Sequence, residues 1–97
     1  MNESVIWKYE VPVDGKAHMV SMPDSEAAQC VLCLCLVPFV VTVWMQLNPD
    51  AEQNLVPLTV VGTGQRFPED WYYIGSCRDR EYIWHVIQKV HDEPQPD

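Results

Sequence analysis

Val5-Ile6-Trp7-Lys8-Tyr9-Glu10-Val11-Pro12-Val13 alternates without a slip: Val5, Trp7, Tyr9, Val11 and Val13 share one parity, and Ile6, Lys8, Glu10 and Pro12 the other. Strand side chains point to opposite faces in turn, so this spacing predicts a strand with one face buried. The turn pair Asp14-Gly15 closes it. His18, Val20 and Met22 predict a second strand, ended by Pro23-Asp24, and Asp24–Ala28 has room for one helical turn capped by Asp24 or Ser25.

The same grammar runs through the rest of the chain. Gln29–Val37 and Val40–Leu47 read as strands joined at Pro38-Phe39. The first is apolar on both parities, which predicts a central position in its sheet. Asn48-Pro49-Asp50 breaks the chain. Leu55–Val61 resumes it, with Pro57 marking a strand start or an edge. Gly62–Asp70 is the longest irregular stretch, and Trp71–Cys77 and Tyr82–Val90 read as a hairpin looped through Arg78–Glu81. Six to seven short strands predict an all-β fold, a small antiparallel β-sandwich or partly open barrel with room for one short helix. A chain of 97 residues suits one domain, read here as residues 1–90, followed by an acidic, proline-containing tail at 91–97 that is expected to be disordered.

Composition narrows the function classes. Fourteen acidic against six basic residues give a net charge of −8. Such a surface repels phosphate backbones, so duplex nucleic acid is not an expected partner. The charge serves solubility, or imitates nucleic acid and docks into a basic groove on another protein. The longest apolar run, Cys30–Trp44, is interrupted by Pro38 and Thr42 and is shorter than the ~20 residues a spanning helix needs. Met1-Asn2-Glu3-Ser4 lacks the basic opening of a secretory leader. No membrane association is expected, and the expected location is the cytoplasm.

Several groups invite a chemical reading. Gly62-Thr63-Gly64-Gln65-Arg66 is the leading candidate site, because glycines let backbone N–H groups approach an anion and an arginine follows. No Lys-Ser/Thr pair and no third glycine complete a phosphate-loop motif, so a strand-ending turn is the competing reading. Trp71 and Tyr73 lie just downstream on one parity, where aromatic faces beside an anion site would stack a nucleotide base. Arg78 and Arg80, at the hairpin tip with Asp79 and Glu81, either clasp phosphates across a homo-oligomer or are simply solvated. His85, between Trp84 and Val86, reads as a hydrogen-bonded structural histidine. No nucleophile stands beside a histidine in a hydrolase pattern and no acid pair is marked out, so no catalytic residue and no cofactor is expected.

Ile6-Trp7-Lys8-Tyr9, Val20-Ser21-Met22-Pro23, Val43-Trp44 with Asn48-Pro49-Asp50-Ala51, Val60-Val61-Gly62-Thr63-Gly64, Tyr73-Ile74-Gly75-Ser76 and Ile83-Trp84-His85-Val86 follow in order. Over residues 5–90 this series resembles a family of small proteins of unknown function encoded by bacteriophages and prophages. The resemblance carries over no catalytic residue. It implies a small accessory protein of the host cytoplasm that acts by binding. The leading expectation is an antagonist of host defence, sequestering a cyclic nucleotide or other nucleotide signal or occluding a defence protein. A virion or assembly component and a regulator of a host protein are the alternatives. A thin-cored sheet with edges rich in valine and tryptophan is further expected to self-associate.

Cys30, Cys33, Cys35 and Cys77 raise the question of a metal. A strand over Gln29–Val37 places Cys33 and Cys35 on one face and Cys30 on the other, which separates them, and no glycine, asparagine or aspartate offers a zinc-knuckle turn. Reduced cysteine then acts as a small buried hydrophobe. Elemental analysis of the purified protein should find no stoichiometric metal; one zinc per chain, with unfolding on chelation, would refute this.

Overall fold

The computed structural model describes residues 3–24 and 27–89. The alternation read in the sequence becomes seven strands: β1 (Val5–Pro12), β2 (His18–Pro23), β3 (Gln29–Val37), β4 (Val40–Leu47), β5 (Gln53–Gly62), β6 (Trp71–Asp79) and β7 (Tyr82–Lys89). They form two antiparallel sheets, a three-stranded one ordered β1-β4-β3 and a four-stranded one ordered β2-β5-β7-β6. The two are not hydrogen-bonded into a closed barrel, so the fold is the expected small β-sandwich. No helix occurs among the described residues. Asp24, Ala27 and Ala28 are not helical, and the rest of the expected helical turn, like the tail at 91–97, lies outside those residues.

The core forms where the inward rows meet. Val41, Val43, Met45 and Leu47 of β4 join Val11 of β1 against Met22, Val56, Leu58, Val60 and Val86 of the other sheet, all of them buried. Val5, Tyr9, Val11 and Val13 belong to or pack against this core as their parity predicts, whereas Trp7 on the same parity stays 43% exposed. Pro57 is not at a strand start but midway along β5, a central strand. It faces Met19 of β2, while pairing with β7 begins only at Leu58, so its missing N–H falls where no second ladder runs.

β3 departs from expectation. It is an edge strand, paired with β4 alone, and not a central one. Its apolar outward row is therefore left in solvent, with Val31, Leu32, Leu34, Leu36 and Val37 between 40% and 64% exposed. Two register slips, between Cys30 and Leu32 and between Leu34 and Val37, interrupt its ladder. At each slip a thiol reaches a backbone carbonyl two residues on: Cys30 Sγ donates to the Leu32 oxygen at 3.4 Å, and Cys35 Sγ to the Val37 oxygen at 3.1 Å.

The β3–β4 turn lacks Gly or Asn yet closes tightly, with Val37 paired to Val40 and Phe39 at a φ of 63°. Proline at the first central position and positive φ at the second is the arrangement of a type II turn. The β6–β7 loop is likewise only two residues long, with Arg80 at a φ of 57°.

β3 and β6 border their respective sheets and approach each other closely at Gly75. A Cβ there would lie 3.1 Å from Cys30 Sγ and 3.4 Å from the Cys33 Cβ. Gly75→Ala should therefore force the two edges apart. Overpacking of this kind costs about 1–3 kcal/mol, more than the up to ~1 kcal/mol that losing a glycine gains through the unfolded chain. Urea denaturation should show a net loss of about 1 kcal/mol or more; an unchanged or raised midpoint would mean that the edge has room to spare.

Candidate functional site

Gly62–Asp70 leaves the end of β5 and folds back across the outward face of the four-stranded sheet. Val61 pairs with His85, and Ile87 with Thr59, in the outward register, yet Val61 is 6% and Ile87 1% exposed. The returning loop is what covers them. Its first turn is built by local chemistry. The Gln65 N–H donates to the Gly62 carbonyl at 3.1 Å, Gly64 sits at a φ of 88°, and the Gly62 N–H donates to Gln65 Oε1 at 3.1 Å. Positive φ at the third position is why glycine is needed there. Two of the amide groups that an anion would use are thus already engaged within the turn.

The covered face holds two adjoining cavities. One, of about 260 Å³, is lined by Arg66, Phe67, Pro68 and Trp71, with Thr59 and Ala17 behind them. The other, of about 230 Å³, is lined by Thr63, Gly64, Phe67, Tyr73, His85 and Ile87. Gln65 and Phe67 contribute to both. In the second cavity Thr63 Oγ1 and His85 Nε2 are 2.8 Å apart, the Tyr73 hydroxyl donates to Ser76 Oγ at 2.9 Å, and the Tyr73 and His85 rings are tilted with centroids 6.1 Å apart. His85 thus makes the hydrogen bond expected of it while bordering a cavity.

Gly62, Thr63, Gly64, Gln65, Arg66, Trp71 and Tyr73 all border these cavities, with Gly62 in the second and Trp71 in the first. Arg78 and Arg80 do not. They sit at the β6–β7 tip, where the Arg78 Nε donates to the Arg80 carbonyl at 2.7 Å and the Arg80 guanidinium meets the Asp79 carboxylate at 3.2 Å. That guanidinium also lies 5.4 Å above the Phe39 ring. The hydrogen bond from Arg80, followed by burial acting the other way and the charge of Arg80, leaves the Asp79 carboxyl below its usual range.

Strand register adds residues that sequence reasoning passed over. Lys89 pairs with Trp71, and its ammonium approaches Asp70 at 3.8 Å. Lys16 lies between Gly15 and Ala17, which line the first cavity, and its carbonyl accepts the Thr59 hydroxyl at 2.7 Å. Arg66 and Lys89 are thereby gathered on one face, with the Lys16 backbone at its margin, together with Glu69 and Asp70 of the loop. Only the pairing of β6 with β7 could have found Lys89, and only the contact of the β1–β2 connection with Thr59 could have found Lys16.

Set against known protein families, residues 2–97 match a domain of unknown function, DUF7352. The chain belongs to that family. No curated protein and no solved structure matches it.

The cysteines of this DUF7352 domain require a correction. The slip at Val31 shifts parity, so Cys30 pairs with Met45 and Cys33 with Val43, both inward positions of β4. Cys30 is therefore not on the opposite face from Cys33 and Cys35; with Cys77, all belong to or pack against the core. Among the described residues no three His, Cys, Asp or Glu side chains form a group able to hold a metal ion. Burial, then the neighbouring Cys77, pushes the Cys33 thiol far above its ordinary value, and burial raises Cys77 as well. Thiols held protonated are poor nucleophiles. In native protein at mildly alkaline pH, Cys33 and Cys77 should resist a disulfide reagent and react only on unfolding. Labelling of these two at the rate of a free thiol would show that the edge opens.

Proposed function

We propose that this protein acts by binding and not by catalysis, and that its ligand is a nucleotide-class anion held under the Gly62–Asp70 loop. What carries the reading is one juxtaposition: Arg66, Phe67 and Trp71 around one cavity, Thr63, Tyr73 and His85 around the next, with Lys16 and Lys89 at the margin. In a chain of net charge −8, an anion needs such a local gathering of cations. Each cavity is smaller than the ~300–1,000 Å³ usual for a small-molecule site. Because they share Gln65 and Phe67, a base in one and a sugar-phosphate in the other is the arrangement that fits. Aromatic side chains provide the stacking surface, and Arg66 the charge-assisted contact.

The resemblance to phage-encoded proteins supplies the setting of this proposal. The protein is a phage or prophage accessory protein of the host cytoplasm that sequesters a nucleotide immune signal. No helix of the described residues is long and apolar enough to cross a membrane. The acidic balance of the chain favours a second reading, in which the protein occludes a basic surface of a host defence protein.

One pair of variants separates the two. Under the first reading Arg66→Ala weakens binding of a cyclic dinucleotide or mononucleotide by about 1.5–3 kcal/mol, the usual worth of a charge-assisted hydrogen bond. Arg66 is exposed in a loop, so the melting temperature should hardly move. Under the second, Arg66→Ala changes little, whereas the combined Glu69→Lys, Asp70→Lys and Glu81→Lys variant abolishes the complex with the defence protein, and salt weakens the wild-type complex. Asp79 is excluded from that set because its side chain is 11% exposed and braces Arg80. Calorimetric titration of both variants is the test, and if neither alters any binding, both readings fail.

A further inference from the structure

We propose that the outward face of the β3–β4 hairpin is a self-association surface on which a second copy of this chain packs. The face lies on the sheet opposite the cavities, so this inference does not rest on the ligand reading. In register, Leu32, Leu34 and Val37 of β3 stand beside Trp44, Thr42 and Val40 of β4 on the outward side. Val31 and Leu36 extend the row, Leu36 being 64% exposed, and Phe39, 52% exposed with the Arg80 guanidinium 5.4 Å over its ring, closes it at the turn. An edge strand that presents leucines to water on its outer side is unusual, because edges are ordinarily protected by charge, proline or cover. Here none of the β3 side chains is charged.

The charge distribution decides what covers this face. No Asp, Glu, Lys, Arg or His occurs from residue 27 to residue 49, although the chain as a whole carries −8. On the same outward face β1 sets Lys8 beside Trp44 and Glu10 beside Thr42, so the uncharged area is the β3 side of the sheet. Two copies repel wherever acidic surfaces meet, and when they are offset towards β3 they can touch there without opposing like charges. A basic partner would be drawn to the denser acids elsewhere on the molecule, since Glu10 on this face stands two residues from Lys8. An apolar row without charges contains no pattern to select a different protein, but it is complementary to itself about a two-fold axis. Six side chains near half exposure bury on the order of 500 Å² per copy, which brings a pair to about 1,000 Å², the lower bound of a specific interface. Exposed Met19 and Leu55, on the other sheet, form a smaller apolar pair close to Asp24 and Glu52.

Sedimentation equilibrium across about 1–200 μM spans the affinity expected of an interface this small. The wild type should move from the 11.2 kDa chain mass towards twice that value. Because like-charged copies are being joined by apolar contact, raising salt from about 0.05 to about 0.5 M should tighten the dimer several-fold, the opposite of an ion-paired interface. Leu36→Glu, at a position exposed enough to spare the fold, should leave a monomer with an unchanged melting temperature. Leu55→Glu adds the same charge on the other sheet and should leave the dimer intact. A wild type that stays at 11.2 kDa throughout overturns the proposal. So does a Leu36→Glu dimer as tight as wild type, equal disruption by Leu55→Glu, or cosedimentation of the wild type with phosphatidylcholine vesicles in place of dimerisation.

Discussion

Two sheets of three and four strands are held together by one contact, the meeting of their inward rows. Val41, Val43, Met45 and Leu47 on one side and Val56, Leu58, Val60 and Val86 on the other are removed from water only because each row covers its counterpart. Fully burying side chains of this size is worth about 1.5–3 kcal/mol each, and a chain of 97 residues has few more to offer. The rest follows from keeping those rows opposed. Gly75 brings the β3 and β6 edges together where any side chain would hold them apart. The thiols Cys30 and Cys35 supply donors where the β3 ladder slips.

The same constraint accounts for the strain at one end of the sandwich. Phe39 and Arg80 both occupy the left-handed region, which costs a residue with a side chain roughly 1–2 kcal/mol. They meet each other, with the Arg80 guanidinium over the Phe39 ring and near that of Tyr82. An exposed cation–π contact returns only ~0.5–1 kcal/mol, so stacking alone does not offset two strained residues. The hairpins must close where they do because Val37–Val40 and Asp79–Tyr82 are pinned by strands whose inward faces are already committed to the core. The stack is then the best use of side chains whose backbone has been decided elsewhere.

Parity was readable wherever a strand had one dry face and one wet one. Val5–Val13 announces its inward residues because Lys8 and Glu10 punctuate the other side. Gln29–Val37 misled for the converse reason: apolar residues on both parities signal burial on both faces, and nothing local distinguishes that from an edge with an uncovered apolar face. The slip at Val31 was invisible as well, and with it the convergence of Cys30 on Cys33, because a bulge is set by what the neighbouring strand and sheet demand. In the candidate site, the local part was legible. The Gly62–Arg66 turn and the downstream aromatics lie within a few residues of each other, and they do share one face. Lys89 came from the end of β7 and Lys16 from the β1–β2 connection, placed there by long-range contacts that no short motif encodes.

The two outward faces differ in what covers them. One sheet carries a loop that returns over its outer side, burying Val61 and Ile87 and leaving cavities edged by aromatic and basic groups. Among the described residues no loop returns over the other, and its leucines remain in solvent without a single charge along β3 or β4. Glu10 of β1 stands on that sheet beside Thr42, but no acid occurs between residues 27 and 49, so the uncharged hairpin interrupts an otherwise repulsive chain. In the binding role proposed above, each face has its own task. The loop-covered face suits something small and anionic, and the bare face something broad and apolar.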